Sequence, residues 1–157
     1  MSPLWDDLAK DAVTGLHAAR LLSAAGGKAV ALLGEKIAAK KAPDEGPIKA
    51  LIADLGSPQF AAREKAEKDL RDLSASAERH LRDELAASQS PEVRQRAGKL
   101  LKAIETRKLT AAENREVRAV QALRWMDTEA ARELLAKWAK GDPSATLTKT
   151  AGNPSGR

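Results

Sequence analysis

The phrase Ser57-Pro58-Gln59-Phe60-Ala61-Ala62-Arg63 returns 33 residues later as Ser90-Pro91-Glu92-Val93-Arg94-Gln95-Arg96. Serine, proline, a bulky apolar residue and arginine recur together, each time ahead of a helical pattern. A repeat of this length points to stacked helical hairpins, in which each unit buries its apolar face by leaning on its neighbours. It predicts an architecture and a surface before it predicts any reaction.

Composition agrees with close-packed helices. Apolar residues make up 43% of the 157, but aromatics only 3%, with no Tyr and a single Phe, so the core is expected to be Ala and Leu. The scarcity of aromatic and β-branched runs argues against a sheet. There is no Cys and only two His, which excludes a disulfide framework and any thiolate chemistry and leaves no basis for a metal centre or other cofactor. No apolar run is long enough to span a membrane. The start, Met1-Ser2-Pro3-Leu4-Trp5-Asp6-Asp7, lacks the basic and then apolar regions of a secretory leader, so a cytoplasmic location is the default unless a longer parent carries a signal. The net charge of +5 is concentrated in residues 91–140.

Taken in order, Leu4, Trp5 and Leu8 share one helical face, and Asp11 is placed to cap a helix carrying Val13, Leu16, His17, Arg20 and Leu21. Gly26-Gly27 ends it, and Val30, Leu33, Ile37 and Lys40 mark a third helix expected to fold back on the second as an antiparallel hairpin. The Pro/Gly/charge cluster from Lys40 to Pro47 marks a joint. Beyond it, Ile48, Leu51, Ile52 and Leu55 give a short helix. In the first repeat Ser57 is expected to cap and Pro58 to take the first helical position, with Phe60, Ala66, Leu70 and Leu73 inward; a following helix carries Ala77, Leu81 and Leu85. In the second, Ser90 and Pro91 open a helix lined by Val93, Ala97, Leu100, Leu101 and Ile104. Thr110 and Glu113 form a capping box before Val117, Val120 and Leu123. Asp127 or Thr128 then starts a last helix bearing Ala131, Leu134, Leu135 and Trp138. Residues 142–157 are Thr, Ser, Gly, Pro and Asn around one Leu147, which reads as an extended or disordered tail.

Two constellations invite a functional reading. Arg63 and Arg96 hold the same place in successive repeats, and such a ladder can grip a carboxylate or phosphate; in stacked helices it more often pairs with a carboxylate of the neighbouring unit. Trp125 and Trp138 stand on consecutive helices near Arg118 and Arg124, a combination that serves either to stack bases or to close the core, and core closure has the greater weight. Arg118 and Trp125, two turns apart, also suit a cation–π contact. His17 and His80 have no partners identifiable from sequence, and no phosphate loop, nucleophile elbow or zinc-protease motif occurs.

Ser90-Pro91-Glu92-Val93-Arg94-Gln95-Arg96-Ala97 resembles the first helix of bacterial-type HEAT-like repeats, and Ser57-Pro58-Gln59-Phe60 is a looser version. Residues 51–63, the opening Leu4-Trp5-Asp6-Asp7-Leu8-Ala9 and the closing Glu129-Ala130-Ala131-Arg132-Glu133-Leu134-Leu135-Ala136 look similar to the helical segment that follows WD-repeat propellers in some large bacterial proteins. The resemblance implies an all-α, HEAT-like superhelix of about eight or nine helices, acting as a non-catalytic scaffold or adaptor toward a protein or an adjoining domain of a longer chain. Three regions are expected: residues 1–42 as a hairpin region, 43–141 as repeats and 142–157 as a tail. Arg94, Lys99, Lys102, Arg115, Arg118 and Trp125 are the expected contact residues. The alternative is a nucleic-acid binder using the same basic region. A third reading, a DNA-alkylation-repair glycosylase of HEAT-like fold, rests only on the basic region and the tryptophans, with no matching motif.

Overall fold

A computed structural model describes residues 2–153 and is all-α, with ten helices and no strand among them. In order they are α1 (Ser2–Asp7), α2 (Ala12–Ala24), α3 (Gly27–Lys36), α4 (Glu45–Asp54), α5 (Phe60–Leu73), α6 (Ala75–Ala87), α7 (Pro91–Thr106), α8 (Ala111–Met126), α9 (Glu129–Trp138) and α10 (Thr146–Gly152). They form two compact units: unit 1, of Met1–Lys41 with Leu109–Arg157, and unit 2, of Ala42–Lys108. The first division falls within the Pro/Gly joint. The second differs from the sequence-based partition, because α8 and α9 pack with the N-terminal helices and do not continue the repeats.

Unit 1 is built on α8, which lies along α2, α9 and α10. The Asp11 carboxylate opens α2 by accepting from the Val13 and Thr14 amides at 2.9 and 3.0 Å. Gly26 closes the following turn at φ 57°, where a side chain would be strained. The expected α2–α3 hairpin gives way to a different pairing: the main backbone contact of α2 is with α8, and that of α3 is with α9. The reason lies in the face that α2 buries. Gly15, Ala18, Ala19 and Leu22 turn inward, small enough to let α8 come close. Val13, Leu16 and Leu21, the apolar residues that mark this helix in the sequence, lie outside. Trp138 is fully buried, and its indole N–H donates to the Ile37 carbonyl (3.2 Å) just past the end of α3. That fulfils the core-closing role expected of it.

Residues 142–153 overturn the reading of the tail as extended or disordered; 154–157 lie outside the described residues. Asp142 is buried and accepts from the Ser144 amide and hydroxyl at 2.9 and 2.7 Å. Leu147 enters the unit 1 core, and Thr146 Oγ1 donates to Glu113 Oε1 at 2.9 Å. The Arg124 guanidinium donates to the carbonyls of Thr150 and Asn153. A seven-residue helix has no stability of its own in water. Contacts from α8 supply what the local sequence lacks.

Unit 2 comprises α4 to α7 around Ile48, Ile52, Leu55, Leu70, Leu81, Leu100 and Leu101. The second repeat opens as expected, with Pro91 first in the helix and Ser90 Oγ accepting from the Val93 amide at 3.4 Å. The first does not. There α5 begins at Phe60, Ser57 Oγ accepts from the Gln59 amide, and Arg63 reaches back to the carbonyls of Ser57 and Pro58 at 2.7 and 3.2 Å, holding the segment as a turn. Phe60, expected inside, is 65% exposed under the Arg63 guanidinium, which sits 5.7 Å from its ring centroid. Leu73 and Leu85, at the margins of their helices, are also outside the core.

Candidate interaction surface

The arginine ladder is internal to unit 2. Arg63 Nε lies 3.2 Å from Glu92 Oε1 on α7, close enough for an ion pair though not aligned as a hydrogen bond. Arg96 reaches back to α5, where Nη1 donates to Glu67 Oε2 (2.9 Å) and Glu64 Oε1 (3.3 Å). Glu67 is the centre of this group. It is buried, yet it accepts from Arg96, from Lys99 Nζ (3.1 Å) and from Arg71 Nη2 (3.1 Å). Burial alone would push its carboxyl up; the charges of Lys99, Arg96 and Arg71 outweigh that and hold it below the usual range.

Of the expected contact residues, Arg94, Lys99 and Lys102 stand on α7 in unit 2, while Arg115, Arg118 and Trp125 stand on α8 in unit 1. Lys99 is engaged by Glu67. Arg94 and Lys102 are exposed. Arg115 Nε donates to the Trp5 carbonyl (3.1 Å), with the guanidinium 4.6 Å from the Trp5 ring centroid. Arg118 Nη1 donates to the carbonyls of Leu8 (2.6 Å) and Lys10 (2.8 Å). To do so it crosses α2 at Gly15, where an added Cβ would stand 2.1 Å from Nη1. The expected Arg118–Trp125 contact is therefore replaced: Arg118 turns to the end of α1, and Arg20 of α2 covers the Trp125 ring at 5.8 Å.

Beside α8 lies a cleft of about 240 Å³ lined by Trp5, Lys36, Ile37, Lys40, Arg115 and Glu116 among others. Burial raises the Glu116 carboxyl, and Lys40 at 3.9 Å only partly offsets it. In unit 2, His80 Nε2 approaches Glu45 at 3.6 Å. Glu45 is held low chiefly by its hydrogen bond to Lys49, with His80 contributing. No group of three or more His, Cys, Asp or Glu that could hold a metal ion occurs among the described residues.

The surface missed in the sequence is the outer face of α2. Val13 (79%), Leu16 (44%) and Leu21 (43%) are exposed, and Trp125 (41%) joins them through Arg20. At about 100° per residue this stripe lies roughly opposite the buried Gly15, Ala18, Ala19 and Leu22. Spacing alone selects the larger side chains for the core. The clue to the reverse was the run of small residues at 15, 18 and 19. No protein-family model matches the chain, and no curated protein or solved structure matches it either.

Proposed function

We propose that the chain is a non-catalytic helical-repeat scaffold or adaptor, working in the cytoplasm and presenting a helical surface to another protein or to an adjoining domain of a longer parent. One observation carries this choice over nucleic-acid binding: the cations singled out for phosphate contact are largely engaged inside the fold. Lys99 and Arg96 hold Glu67, while Arg115 and Arg118 hold the backbone around the end of α1. A phosphate backbone would have to compete with these partners for most of them. The HEAT-like reading of the repeats is supported by α5, α6 and α7, which pack on one another with their arginines crossing between units of the repeat.

The test is a titration of labelled single- and double-stranded DNA at low and near-physiological salt, with Arg94→Glu/Lys102→Glu as the control. These two side chains are exposed, so their reversal spares the core. The expected result is no binding at near-physiological salt and no loss in the double variant. Tight low-salt binding that falls steeply with salt and is lost in the variant would replace the scaffold reading with phosphate contact.

A further inference from the structure

We infer that the outer face of α2, together with Trp125, is a docking site for an acidic amphipathic helix of a partner protein; this deepens the scaffold reading above and rests on it. Val13, Leu16, His17, Arg20 and Leu21 recur at three- and four-residue steps along one side of a 13-residue helix. That is the pattern by which one helix receives the anchors of another. The face points to solvent while the opposite side of α2 is locked against α8, so the stripe is presented on a fixed support.

Charge identifies the occupant. From Ala12 to Gly34 there is no Asp or Glu, and there is none from Val117 to Met126. Of the flanking acids, Asp11 caps α2 through the Val13 and Thr14 amides, and Asp127 pairs with Arg132 at 2.9 Å. The stripe is therefore apolar with Arg20 as its fixed cation. Its complement carries leucine-like anchors flanked by carboxylates.

Two other occupants fit less well. A second copy paired antiparallel through α2 would bring the Arg20 side chains of both molecules into one small interface. An anionic membrane calls for a helix whose polar face is rich in Lys and Arg, each worth about 1 kcal/mol at the surface. Here the face opposite the stripe is core, so α2 presents no such basic polar face.

The experiment titrates a synthetic acidic amphipathic helix of leucines and glutamates against the full chain, beside its lysine-for-glutamate twin, with amide and indole NMR shifts as readout. Acidic binding about tenfold or more above the twin is expected, with shifts centred on α2 and the Trp125 indole. Leu16→Glu/Leu21→Glu should abolish it without changing the circular dichroism, and Arg20→Glu should reverse the preference toward the lysine peptide. Equal binding of both peptides, or shifts confined to other helices, overturns the inference. So does a response to phosphatidylserine vesicles alone, or a dimer in light scattering that Leu16→Glu/Leu21→Glu dissolves. Failure here with no DNA binding leaves the scaffold reading on another face; DNA binding removes both.

Discussion

The arginines that tie helix to helix in unit 2 end on carboxylates, whereas three arginines of α8 in unit 1 end on backbone carbonyls. In unit 2, Arg63 meets Glu92, Arg96 meets Glu64 and Glu67, and Arg82 meets Glu105. In unit 1, Arg115 and Arg118 reach the carbonyls of Trp5, Leu8 and Lys10, and Arg124 those of Thr150 and Asn153. The difference follows helix length. α1 and α10 have six and seven residues, too few to hold themselves, and a short helix leaves as many unpaired terminal carbonyls as a long one. Cations from the side of α8 satisfy both ends. In unit 2 the helices are longer, and the arginines are left to neutralise carboxylates on their neighbours. Much of the basic excess between residues 91 and 140 is thus a structural clamp.

The comparison breaks most visibly at Glu67. Glu67→Gln leaves Arg96, Lys99 and Arg71 facing a neutral amide, and with the last two free to turn to water the loss should be about 2 kcal/mol. Amide exchange in α5 and α7 would report it. Trp5, Trp125 and Trp138 all lie in unit 1, so tryptophan fluorescence follows that unit alone. The sign with pH is fixed by the direction of the shift. The folded Glu67 carboxyl lies below its ordinary 4.5, so its stabilisation is fully present above that pH and is lost as pH falls through the folded value. Glu67→Gln should lack this acid limb. Unchanged exchange in α5 and α7 would mean that the cluster contributes nothing.

A smaller effect tests the carbonyl clamp. In Gly15→Ala the new methyl displaces the Arg118 guanidinium. Loss of two charge-assisted hydrogen bonds exceeds the gain in helix propensity, for a net cost of about 1 kcal/mol in the fluorescence-monitored transition. In an Arg118→Ala background the same change should become neutral or stabilising, since nothing remains to collide. Additive effects would show that Gly15 and Arg118 act independently.

Much of the local structure was legible because it depends on near neighbours. Asp11 caps α2, Thr110 and Glu113 form their box, Ser90 and Pro91 open α7, and Thr128 caps α9, all within one turn of chain. The structural reading of Arg63 and Arg96 also held, because a 33-residue repeat fixes which carboxylates can lie opposite. Three features escaped for a common reason. α10 depends on Glu113 and Arg124, far away in sequence. α2 has apolar residues on both sides, and which side is buried was decided by α8. The contact set mixed residues of two units, and four of its six members have partners that no short-range pattern reveals: Glu67 for Lys99, the carbonyls near α1 for Arg115 and Arg118, and Arg20 for Trp125.

The smallest effect has the opposite sign and sets a half-buried glutamate against the buried one. Glu116 in unit 1 has one cation, Lys40, at 3.9 Å, where Glu67 has three within hydrogen-bonding reach. Burial raises its folded carboxyl above 4.5, so its ionised form works against folding near neutral pH, and that penalty is relieved as pH falls through the folded value. Glu116→Gln should therefore raise the fluorescence-monitored Tm at pH 7, with the gain shrinking toward pH 4.5. In the wild-type chain, mild acid should spare the tryptophan transition while α5 and α7 begin to lose protection only at lower pH, as Glu67 protonates. A lower Tm for Glu116→Gln at pH 7 would mean that Lys40 and the Leu147 amide together outweigh desolvation, and that both units gain stability from these ionised carboxylates.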